Sequence, residues 1–145
     1  MSREARVVDT NVFIRFLVED DRTQAEAARQ LMHRAVSGDL RLIVPPQVAA
    51  EIVYVLESVY EVESSRIRTL LQDLLETPGV DVRSEEIILQ ALVWYDELGI
   101  DFDDAYIGAW SIENGHPDVY TFNTRDFGKM EGLTPIDHDS ATAPL

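Results

Sequence analysis

Residues 7–14 read VVDTNVFI: two valines that look like the end of a strand, an acid at Asp9, and an apolar run that restarts behind Asp9-Thr10-Asn11. A carboxylate set between two buried elements is costly unless something pairs with it. The stretch therefore reads as strand, polar turn and helix, with the acid at the carboxyl end of the strand. In open sheets of alternating strands and helices, that end is where ligands bind.

The same alternation continues along the chain. Val7-Val8 is predicted as a first buried strand and Asn11 to Glu19 as a short helix ending near Asp20-Asp21. From Thr23 to Val36, the positions Ala27, Ala28, Leu31, Met32, Ala35 and Val36 recur at helical spacing, closed by Ser37-Gly38. Leu42-Ile43-Val44 reads as a second strand, stopped by Pro45-Pro46, and a helix runs from Gln47 to about Tyr60. Ser64-Ser65 is placed to cap a helix with the stripe Ile67, Leu70, Leu71, Leu74 and Leu75, ended by Thr77-Pro78-Gly79. Val80-Asp81-Val82 is a third strand, and helices from Ser84 to Leu98 and from Asp101 to Glu113 follow. Val119 to Phe122 is a fourth strand, Asn123 to Phe127 a turn, and Thr134-Pro135-Ile136 an added edge strand. Short strands alternating with helices require crossover connections, so the fold class is α/β, with a short, mostly parallel sheet of four or five strands flanked by helices.

At 145 residues, 46% hydrophobic and 27% charged, the chain is sized for one globular domain, residues 1–137, followed by a small-residue tail, 138–145, expected to lack order. It has no cysteine, which excludes disulfides, thiolate metal sites and cysteine nucleophiles and suits a reducing cytoplasm. No apolar stretch has signal-peptide length or approaches the ~18 residues of a membrane span, so a soluble, cytoplasmic protein without a membrane partner is expected. The net charge is -15, with 27 acids against 12 basic residues, of which Lys129 is the one lysine. That balance opposes nucleic-acid binding, which phosphate neutralisation normally drives. Acids gathered in one pocket and neutralised by cations would lift the objection. An acid-rich, lysine-poor surface also suits a very salty cytoplasm.

Further acids join Asp9 as candidates. On the helix from Gln47, the residues Val48, Ile52, Val55 and Val59 form one stripe, and Glu51 borders it. In IDFDDAYIGAW, Asp101 is placed as a helix N-cap and Asp103 in solvent. Asp104 precedes the Ala105, Ile107 and Gly108 run expected to face the sheet, so it is the inward acid. Asn123 follows the fourth strand as Asp9 follows the first. If Asp9, Glu51 and Asp104 converge, each pair repels by about 4 kcal/mol at 4 Å and an effective dielectric of 20. A divalent cation resolves that repulsion, and oxygen-only ligands select magnesium or manganese. Arg15, one turn beyond Asn11, is a candidate for substrate phosphate and equally for a surface salt bridge. Plain structural roles compete throughout: Asp9 as a helix cap, Glu51 paired with an arginine, Asn123 and Asp126 as turn residues. His33, His116 and His138 read as surface residues, and Trp94-Tyr95 as core or interface. No glycine-rich nucleotide-binding motif is present.

The four segments VVDTNVFIRFL, PPQVAAEIVYVLE, DFDDAYIGAW and VYTFNTRDF resemble, in order and spacing, the acidic motifs of PIN domains, most of all those of VapC-type toxins from toxin–antitoxin pairs. The likeness runs from about Val7 to Ile136. It implies a PIN-like three-layer fold and a magnesium- or manganese-dependent endoribonuclease acting on RNA. Asp9, Glu51 and Asp104 would hold the metal, with Thr10 and Asn11 behind the first acid. It also implies a homodimer silenced by a cognate antitoxin. The fourth motif departs from the pattern: where many relatives have an aspartate, this chain has Asn123, with Asp126 three residues on. Either Asn123 serves as a neutral ligand or water-holder, or Asp126 supplies the charge, or metal affinity is reduced. The alternatives are a PIN-like module with weakened catalysis that acts by partner binding, and a metal-dependent phosphatase or DNA nuclease using the same carboxylates.

Overall fold

A computed structural model describes residues 4–137; the tail from residue 138 onward, with His138, lies outside them. The chain divides into two compact units, one ending at Glu85 and the other beginning at Glu86. The boundary falls directly behind Ser84, whose φ of 61° turns the backbone through the left-handed region.

The first unit holds β1 (Glu4–Val7), α1 (Thr10–Val18), α2 (Arg22–Ser37), β2 (Leu40–Val44), α3 (Pro46–Ser58), α4 (Ser64–Leu75) and β3 (Val80–Val82). Its sheet has the order β1-β2-β3 with both pairings parallel, Val7 opposite Ile43 and Val44 opposite Val82. Parallel neighbours need crossovers, which α2 supplies for the first pair and α3 with α4 for the second. The central strand β2 buries Leu40, Leu42 and Val44 in alternation. In β1 every residue is exposed, so of the two expected core valines only Val8, just past the strand, is buried. Successive residues of an extended chain point to opposite faces, which separates the two. Val8 N still donates to Ile43 O at 3.0 Å, carrying the pairing up to Asp9.

The helices pack by faces that differ in detail from those expected. In α2 the buried residues are Ala25, Ala28, Met32 and Ala35, while Ala27 and Val36 are exposed. Three of the four packed residues are alanines, and α2 lies against α1 and β2. In α3 the buried face is Val48, Ala49, Ile52, Val53 and Leu56. Val59 is exposed because the helix has already ended at Ser58. Pro46 starts α3 at a position where its missing N–H costs nothing. The N-cap of α4 is Glu63, so Ser64 is helical and the serine pair does not cap. Of the predicted stripe, Ile67, Leu71, Leu74 and Leu75 are buried and Leu70 is half-buried. Gly79, with φ of 86°, leads into β3; a Cβ there would lie 2.2 Å from the carbonyl oxygen of Ala35, so only glycine lets this turn meet the end of α2.

The second unit holds α5 (Glu85–Glu97, its first residue at the boundary), α6 (Phe102–Glu113), β4 (Asp118–Tyr120), α7 (Thr124–Phe127) and β5 (Thr134–Ile136). β4 and β5 pair in parallel as a separate two-stranded sheet. All the described strand pairings are thus parallel, as an α/β chain requires, and the strands bond as a group of three and a group of two. Tyr95 is buried and meets Phe102 edge-on, ring centroids 6.1 Å apart, while Trp94 is half-buried. Ala105 and Gly108 of α6 are buried as expected, but Ile107 between them is exposed. A Cβ on Gly108 would come within 2.4 Å of Met130 Sδ, which shows how closely α6 approaches the segment after α7.

Candidate active site

In the first unit the candidate residues gather where β1 gives way to α1. Asp9 takes the N-cap backbone position of α1, and its carbonyl accepts from Val12 N at 3.2 Å, but its side chain makes no capping hydrogen bond. The capping role that competed for this carboxylate is therefore not realised. Thr10, the next residue, is buried at 5% exposure, and its hydroxyl donates to Glu51 Oε2 at 2.7 Å. This bond ties the first turn of α1 to α3 and fixes the Glu51 carboxylate on Thr10, the residue that follows Asp9. A hydrogen bond to a charged group contributes about 1.5–3 kcal/mol. Glu51 itself is exposed rather than bordering the core, and the amide of Gln47, one turn back on α3, approaches its other oxygen at 3.5 Å.

Arg15 is committed elsewhere. Its Nη1 pairs with Asp20 Oδ1 at 2.7 Å and its Nε donates to Gln24 at 2.8 Å. The second oxygen of Asp20 accepts the Tyr60 hydroxyl at 2.8 Å. The Tyr60 hydroxyl, together with Arg15, holds the Asp20 carboxyl below its usual range. Of the two roles open to Arg15, the salt bridge is the one formed here. Tyr60 went unnoticed in the sequence because its partner lies forty residues away. Asn11 is exposed and lines, with Val12, Arg15, Gln24 and the α2 residues Ala27, Ala28 and Leu31, a cavity of about 280 Å³.

In the second unit the acids crowd around the start of α6. Asp101 occupies the N-cap position without a side-chain capping bond, and Asp103 and Asp104 fall in the first turn. Asp104 is partly buried. Its carboxyl is pushed above the ordinary range by burial first, then by the charges of Asp101, Asp126 and Asp103, against a hydrogen bond from the Asn123 side chain that opposes the shift. Asn123 is the N-cap of α7, its Oδ1 accepting from Asp126 N at 3.3 Å. Its Nδ2 donates to Asp126 Oδ2 at 2.9 Å, and Lys129 Nζ stands 3.4 Å from Asp126 Oδ1. Asn123 first, then Lys129, holds the Asp126 carboxyl below its usual range. The two residues that sequence set up as rivals for the fourth position are thus hydrogen-bonded partners. His33 and His116 are exposed, as expected.

Within either unit, no three or more His, Cys, Asp or Glu side chains among the described residues are grouped as a metal site. The crowding acts on Asp104 through space. The donors themselves fit a hard divalent cation: carboxylate, amide and hydroxyl oxygens, with no thiolate. Such a charge would relieve the repulsion on Asp104 from Asp101, Asp126 and Asp103.

A family model for the PIN domain matches residues 6–133. The chain belongs to the PIN domain family. PIN domains are in general nucleases, and they typically use divalent metal ions. The match spans both units and all four acidic segments. Among solved structures, this PIN domain is similar to a crystal structure of VapBC2 from Rickettsia felis bound to a DNA fragment from their promoter. The two share 14% identity over 92% of this chain and 98% of that one, with a TM-score of 0.36. No curated protein matches the PIN domain described here. Among its described residues no helix is long and apolar enough to cross a membrane.

Proposed function

We propose that this PIN domain is a magnesium- or manganese-dependent endoribonuclease, a cytoplasmic toxin of the VapC type whose residues 1–137 act as one domain. The observation that carries the reading is the PIN-domain match over residues 6–133, with the Asp104 carboxyl raised by burial and by the charges of Asp101, Asp126 and Asp103. In this reading Asp9, Glu51 and Asp104 hold the ion, and Asn123 completes the site. When bound, such a cation supplies a Lewis acid that steadies negative charge on a phosphodiester and acidifies a water. The chain's own part is positional. Thr10 holds Glu51 in place through its hydroxyl, and Asn123 holds an amide against Asp104. The net charge of -15 favours a silencing partner that brings arginine or lysine to these acids, as an antitoxin would, and the active species is a homodimer.

The test is cleavage of single-stranded RNA by the purified protein in magnesium or manganese. Chelation abolishes cleavage, and Asp9→Asn and Asp104→Asn each lower the rate by roughly 10²–10³-fold, the usual cost of removing one group that stabilises charge. Undiminished cleavage in chelator, or by either variant, overturns the reading. Hydrolysis confined to DNA or to phosphate monoesters transfers the same carboxylates to a different substrate.

A further inference from the structure

A cavity of about 520 Å³ opens between α5 and α6 in the second unit. Glu86, Gln90 and Trp94, spaced by four along one face of α5, line one side, and Ile112 and Glu113 at the end of α6 line the other, with Glu131 completing the wall. Gly132, at φ of 95°, keeps the turn after Glu131 close on α6: a Cβ there would lie 3.2 Å from Ile112 Cδ1. Three carboxylates thus share the lining with a half-buried indole and with no lysine, arginine or histidine. Among the described residues no ion pair includes any of the three. From residue 86 onward twelve acids are set against two lysine or arginine residues, Arg125 and Lys129, and Lys129 is paired with Asp126. Glu113 is also the last residue of α6, where the helix carries its partial negative charge and no basic residue stands in the last turn.

We propose that this cavity binds a linear polyamine, an aliphatic chain carrying three or more ammonium groups. The proposal is independent of the nuclease reading, because the cavity lies at the opposite end of α6 from Asp104, about 13 Å along the helix from Asp104 to Glu113. A compact metal ion does not fit: among the described residues no three acids are grouped to hold one. Carboxylates spread along a wall suit charges spread along a chain. Glu86 and Trp94 are about 12 Å apart along α5, a span that an extended triamine covers and a single lysine or arginine head does not. Its methylene runs lie on Ile87, Ala109 and Ile112, its ammonium groups pair with the three glutamates, and one over the Trp94 face gains cation–π attraction.

The test is titration calorimetry of the full chain with spermidine in about 0.15 M sodium chloride, where exposed charges far apart are screened. A Trp110→Phe background leaves Trp94 as the one indole, for fluorescence, and thermal unfolding confirms that each variant folds. One spermidine binds per chain and quenches Trp94. Glu113→Gln/Glu131→Gln weakens binding about tenfold, and Trp94→Leu weakens it about threefold. Asp9→Asn/Asp104→Asn leaves it unchanged. Equal weakening in the two double variants shows a diffuse response to net charge and overturns the proposal. So does displacement of spermidine by magnesium at equal concentration, an absence of binding at millimolar spermidine, or binding of an arginine-rich peptide without binding of spermidine.

Discussion

Asp104 sits in the first turn of α6 among Asp101, Asp103 and Asp126, and burial together with those charges raises its carboxyl above the ordinary range. An acid whose folded value is raised holds its proton more tightly in the native chain, so ionising it costs stability. The cost is absent below the ordinary carboxylate range and fully present above the raised value. Asp104→Asn removes it. In chelator at neutral pH the variant melts higher than wild type, by under about 1 kcal/mol, because the partly exposed carboxyl is screened by water, or at most about 3 °C. The advantage disappears as the pH falls through the ordinary carboxylate range. Thermal unfolding followed across pH checks both signs, and an equal or lower melting point at neutral pH contradicts them. Asp9, Glu51 and Asp104 could be named from sequence because each acid interrupts an apolar pattern. Their partners could not. The Thr10–Glu51 bond joins residues forty-one apart, and the spacing of Asn123 and Asp126 says nothing of which atom of one meets which atom of the other.

Gly79 shows what decides an element's place. Its left-handed backbone and the Ala35 carbonyl oxygen that a Cβ would strike at 2.2 Å seat β3 against the end of α2. Gly79→Ala meets strain and a backbone clash together, and should cost about 2 kcal/mol or more. Urea unfolding measures it, and a loss below about 0.5 kcal/mol would mean that the turn shifts freely. Elements bounded by such punctuation were legible in the sequence: β3 lies at Val80–Val82 and β5 at Thr134–Ile136, as read. Helix faces were less so. Apolar residues in α2 outnumber one stripe, and packing selects the alanines that allow close approach while leaving Val36 exposed. In α3 the stripe ran past the helix end to Val59, because nothing in Ser58-Val59-Tyr60 announces the stop. Strand partnership was the least legible feature, since five short strands of similar composition do not say which of them bond as three and which as two.

Across the whole chain the charge of -15 sets the response to salt. Like charges repel in the folded state more than in an expanded one, so screening favours folding. Raising sodium chloride from about 0.02 M to about 0.5 M should lift the melting point of the metal-free protein by about 2–5 °C. A flat or falling response in differential scanning fluorimetry would show that specific ion pairs, such as Arg15 with Asp20, outweigh the general repulsion. The single lysine, Lys129, opens a different experiment. Reductive methylation with isotopically labelled formaldehyde places a carbon-13 dimethylamine on Lys129 Nζ, the only side chain in the molecule able to take one, and keeps its positive charge. The two methyl groups give one resonance beside that of any α-amine. Lying against Asp126, that resonance would report on any ion or RNA added to a protein otherwise invisible to the measurement.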